Sequence, residues 1–144
     1  DHRDLHSFPT RRSSDLRLCK PKLDIPPDVV LHFKSGENTL DPELVMQLRN
    51  TMTENVGVIR NAAGLTQALR DIVALEELGS NCESFLNMTA TSTLIAASAL
   101  LREESRGAHF RDDFPEACDT SATRSRITLN QALALRTKIV EEAL

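Results

Sequence analysis

One stretch, residues 81–105, constrains the fold more than any other. Phe85, Leu86, Met88, Leu94, Ile95, Ala97, Leu100 and Leu101 supply apolar contacts there, and many of the remaining positions are Ala, Ser or Thr. Side chains this small let neighbouring helix backbones come close, which suits a long helix in the middle of a bundle. Gly107 stands just beyond, where a left-handed residue commonly ends a helix. The flanking sequence repeats the helical period. Leu44, Val45, Leu48, Met52, Val56 and Ile59 recur at spacings of three and four, behind the start signal Asp41-Pro42-Glu43. Gly57 places a kink or an end near residues 56–60. A second helix is predicted over residues 64–78, with Leu65, Ala68, Leu69, Ile72, Val73, Leu75 and Leu78 as its stripe and Gly79 as terminator. Thr128 and Gln131 form a capping-box pattern ahead of Leu129, Ala132, Leu133, Leu135, Ile139 and Val140. No strand-type alternation interrupts these stripes. The expected class is all-α: a small antiparallel bundle of three main helices plus a C-terminal helix.

Residues 1–40 read differently. Residues 7–16 are polar, without apolar periodicity, and the Arg11-Arg12 pair is followed by Ser13-Ser14-Asp15 rather than the apolar run of an export signal. Residues 1–16 are expected to be the translation of a sequencing adapter, not native protein. Residues 17–40 read as a linker, with Pro21, Pro26 and Pro27 opposing helix. Within it, residues 29–33 offer a short strand or an extended docking segment, and His32 reads as surface or packing rather than ligand. The helical domain is expected over residues 41–144.

Net charge −4 and a pI near 5.6 give no basic field for nucleic acid or anionic membrane. Trp and Tyr are absent, which removes most base-stacking chemistry. The apolar stretches read as too short for the ~20 residues of a membrane span. Cys19, Cys82 and Cys118 are odd in number and far apart, as in a reducing compartment, and the expected location is the cytoplasm.

Polar side chains are dense only over residues 102–113. Glu104 and His109 could pair for acid/base work, but no nucleophile or oxyanion device accompanies them. His109 with Asp112 or Asp113 makes a thin metal site, with no second His and no Cys. The plainer reading is a helix C-terminus with a Gly cap and charge pairs.

The run Glu104-Ser105-Arg106-Gly107-Ala108-His109-Phe110-Arg111-Asp112-Asp113-Phe114-Pro115-Glu116 resembles a signature near the end of the fumarate reductase/succinate dehydrogenase flavoprotein family, and above all of its L-aspartate-oxidising branch. Leu48-Arg49 to Met52, Asn55-Val56-Gly57-Val58-Ile59-Arg60, Gly64-Leu65 and Asn87-Met88 are similar too, so the resemblance covers about residues 41–135. It implies a larger enzyme with an FAD-binding domain, a capping domain and this helical domain packed on the first. The implied reaction oxidises L-aspartate to iminoaspartate with FAD, opening NAD biosynthesis. The chain has five glycines and no Gly-x-Gly-x-x-Gly, so FAD and substrate sites are expected upstream. No catalytic, cofactor-binding or metal residue is assigned here. Glu104, Ser105, Arg106, Gly107 and His109 are expected to end the long helix and fasten it to the FAD domain. The rivals are a succinate dehydrogenase or fumarate reductase flavoprotein subunit, whose usual longer aromatic-bearing tail is missing, and a free-standing helical interaction module.

Overall fold

A computed structural model describes residues 39–117 and 124–142. Cys19, His32, Cys118, the segment 1–16 and the expected strand at 29–33 lie outside the described residues. Among the described residues the order is α1 (Pro42–Asn55), β1 (Ile59–Arg60), α2 (Ala62–Leu78), α3 (Glu83–Leu101), β2 (Phe110–Arg111) and α4 (Leu129–Glu141). The all-α class holds.

Each helix start has a local cause. At α1, Asp41 Oδ1 accepts the Glu43 N–H at 2.8 Å and Pro42 fills the first turn, where no intrahelical donor is needed. α2 starts two residues before the predicted position, because the Asn61 side chain accepts the Gly64 N–H at 2.8 Å. Thr128 and Gln131 make the reciprocal capping box of α4.

Two apolar clusters join the helices. Val56, Leu65, Leu69, Ala96, Ala97, Ala132 and Ile139 belong to one; Val45, Leu48, Ile72, Leu75, Cys82 and Phe85 make up the other, and Met52 packs against both. Leu65, Leu69 and Ile72 are wholly buried, worth about 1.5–3 kcal/mol each against full exposure. On α3 the buried positions Phe85, Thr89, Ser92, Thr93, Ala96, Ala97 and Ala99 include one large side chain, so α2 and α4 both pack closely on it. Arg136 of α4 reaches across to Glu76 of α2, at 2.8 and 2.9 Å, and to Thr93 Oγ1 at 3.1 Å, tying three helices together.

Three expectations need correction. α3 is long and apolar enough to cross a membrane by length and composition, contrary to the reading of short apolar stretches. Its buried face is taken up by α2 and α4, as in the core helix of a bundle. The helix also stops at Leu101, short of residue 105, with Arg102 already extended (φ −95, ψ 94). Gly107 does have φ 61, but it lies in a separate turn and caps nothing. Finally, β1 and β2 form a two-stranded parallel ladder, Ile59 with Phe110 and Arg60 with Arg111. Strands of two residues are too short to show alternation.

Candidate functional site

The segment after α3 folds back on both helix ends. Arg106 and His109 exchange backbone hydrogen bonds of 2.8 and 3.1 Å around Gly107-Ala108, a tight turn whose first central residue has the positive φ that glycine adopts readily. Ser105 pins the rest of the loop: its hydroxyl accepts the Arg111 N–H at 2.8 Å and faces the carbonyls of Phe114 (2.8 Å) and Arg111 (3.1 Å), while its own N–H bonds Glu116 O.

Arg111 is the centre of the arrangement. Its side chain is 1% exposed, yet every side of the guanidinium is engaged. Nη1 donates to the carbonyls of Ala99 (3.0 Å) and Leu100 (3.1 Å), with Arg102 O at 3.5 Å, so a cation closes the negative end of α3. Nε and Nη2 form a fork to Asp113 at 2.7 Å each, and the Phe114 ring lies 5.0 Å away. Asp113 also accepts the Ala62 N–H at 2.8 Å, placing an anion at the positive end of α2. That fork, with Ala62 and the Arg111 charge helping against desolvation, holds the Asp113 carboxyl at about 2. One ion pair therefore caps two helices.

Glu104 is fully buried between Arg102 Nη2 (2.5 Å) and Arg106 Nε (3.1 Å). His109 is engaged elsewhere: Nδ1 accepts from Arg60 Nη1 at 2.9 Å and Nε2–H donates to Arg102 O at 3.0 Å, which fixes one neutral tautomer. The structure thus brings Glu104, Ser105, Arg106, Gly107 and His109 into one loop but gives Glu104 and His109 different partners. They do not form an acid/base pair. No group of three His, Cys, Asp or Glu residues suited to a metal occurs among the described residues. A dinucleotide pyrophosphate is commonly held at a free helix N-terminus behind a strand; at the β1–α2 junction Asp113 already fills that place. Sequence reasoning missed the roles of Arg60, Arg111 and Asp113. Their only signal was membership of the two similar stretches, since no periodicity links residues this far apart.

The helical bundle closed by this loop has a counterpart: residues 80–142 match the family model "Fumarate reductase flavoprotein C-term", so this region is similar to the C-terminal domain of that flavoprotein family. Among individual proteins, the chain is similar to L-aspartate oxidase of Agrobacterium fabrum, 37% identical over 94 residues (65% of this chain, 17% of the relative). It is likewise similar to L-aspartate oxidase of Rhodospirillum rubrum, 42% identical over 90 residues (62% and 31%). A fumarate reductase (CoM/CoB) chain of Methanothermobacter marburgensis is 37% identical over 89 residues (51% and 16%). The matches thus span between about a sixth and a third of these relatives' lengths. No solved structure matches the chain.

Proposed function

We propose that residues 41–144 are the C-terminal helical domain of a parent enzyme that oxidises L-aspartate to iminoaspartate, the opening step of NAD biosynthesis, whose product quinolinate synthase consumes. The observation that carries this reading is the similarity to L-aspartate oxidases across some two thirds of the chain, 65% in one relative and 62% in another. In the parent, FAD held by an upstream domain supplies the hydride acceptor. This chain's own contribution is structural. Glu104, Ser105, Arg106, Gly107 and His109 shape the loop that ends α3 and fasten the bundle to the FAD-binding domain. The parent works in the cytoplasm, without nucleic acid or membrane, in keeping with a net charge of −4. Residues 1–16 are adapter-derived and residues 17–40 a linker.

The test is the contiguous upstream coding sequence, expressed together with this region. A yellow protein that oxidises L-aspartate is expected, while the 144-residue chain alone takes up no flavin and turns over no substrate. Flavin absorbance in the short chain would overturn this account. A second reading, a fumarate reductase flavoprotein subunit, is favoured by the similarity to the Methanothermobacter protein. Succinate oxidation or fumarate reduction by the longer protein, without L-aspartate oxidation, would select it.

A further inference from the structure

Arg60 lines an open groove of about 520 Å³ whose other walls include Leu94, Ile95, Arg102, His109 and Ile127. Its guanidinium is held but not neutralised. Nε donates to Val56 O (3.2 Å) and Gly57 O (2.7 Å), and Nη1 to His109 Nδ1 (2.9 Å). None of these partners carries charge, and no carboxylate among the described residues pairs with Arg60. Arg102, by contrast, already meets Glu104 at 2.5 Å. Among the described residues the groove therefore carries one uncompensated cation and no acidic side chain, in a chain whose net charge is −4. The Nη1–Nη2 edge of Arg60 retains donors enough for the two-pronged grip that guanidinium makes on carboxylate. His109 keeps the group oriented, its far nitrogen anchored on Arg102 O.

The surroundings indicate what bears the carboxylate. Sites for small ligands enclose ~70–90% of the ligand surface, which an open groove does not. Ile95 in the groove is 47% exposed, and Val58 and Ile59, which directly precede Arg60, are 78% and 66% exposed. An Arg anchor with one exposed Ile in its groove and two exposed apolar residues just before it in the chain has the make-up of a protein interface. We propose that the Arg60–His109 groove receives a Glu or Asp side chain carried on an apolar protein segment. Resting on the function proposed above, that segment belongs to the upstream flavin-binding body.

The experiment uses the whole 144-residue chain, at constant ionic strength, with NMR of the Arg Nε–H and His ring signals. The probes are a capped Leu-Val-Glu-Leu-Phe peptide, its Glu-to-Gln counterpart, and succinate. The Glu peptide should move the Arg60 and His109 signals saturably, and the Gln peptide should bind at least about tenfold more weakly, the worth of a charge-assisted contact. R60Q should abolish the difference between the two peptides. Equal binding of both peptides by the native chain, or binding of neither, overturns the proposal without relying on a variant that folds. Succinate binding as tightly as the Glu peptide would reassign the groove to a small dicarboxylate and overturn it as a docking site. A longer protein that oxidises L-aspartate although the groove ignores carboxylates would sink this inference alone. Glu-selective binding in a protein without that activity would do the reverse.

Discussion

Replacing Arg111 by Lys would keep the charge and lose the fork. Lysine presents one compact ammonium, which can neither grip both Asp113 oxygens nor reach the α3 carbonyls at the same time. R111K should therefore destabilise the chain by about 3 kcal/mol, toward the range for breaking a buried ion pair, as read from urea unfolding. Asp113 adds a dependence on pH whose sign follows from its carboxyl sitting at about 2 against an ordinary 3.8. The pair's contribution is fully present above the ordinary value and is lost as pH falls through about 2. Glu76, lowered chiefly by its hydrogen bonds to Arg136, acts in the same direction. In D113N the share of acid sensitivity between about pH 4 and about pH 2 should disappear, and urea midpoints measured across that window test it. An acid profile unchanged in D113N would show that other carboxylates govern it.

The elements were largely legible in the sequence because their signals are local. Asp41 with Pro42, the Leu65 to Leu75 stripe and the Thr128–Gln131 box each lie within a few turns of what they specify, and each is found where the pattern placed it. The end of α3 was not legible. Its cap comes from Arg111, ten residues past Leu101, and the partner that holds Arg111 also serves the start of α2. The small parallel ladder escaped notice for the same reason. Gly79 shows a right position with a different cause. It does terminate α2, bonding Leu75 O at 3.0 Å, but at φ −98, where any residue fits. What excludes a side chain is the ring of Phe85, which a Cβ at Gly79 would overlap. Phe85 is buried at 1% exposure and has little room to yield. G79A should cost about 1–3 kcal/mol through overpacking, and the double variant G79A/F85L should recover part of it in thermal unfolding.

For the molecule as a whole, apolar surface is the telling quantity. Val58, Ile59, Leu78 and Leu101 are 78, 66, 69 and 60% exposed, and Val58 and Ile59 are adjacent in the chain. The purified chain should bind an environment-sensitive dye and self-associate as its concentration rises, and V58S/I59S should reduce both, as seen by fluorescence and light scattering. A monomer without dye uptake would favour a free-standing module over a domain made to be covered. The shared helix cap has a further consequence, in time rather than in energy. Ala62 and Asp113 are 51 residues apart in the chain, whereas α2 and α3 are joined by a short turn and can pair early. The link through Arg111 needs that hairpin in place, so it is expected to form after the folding transition state. R111K should then speed unfolding by about a hundredfold, the whole of its stability loss, and leave the refolding limb of the stopped-flow chevron almost unmoved. The clasp at the helix ends sets how long the folded chain lasts, not how quickly it forms.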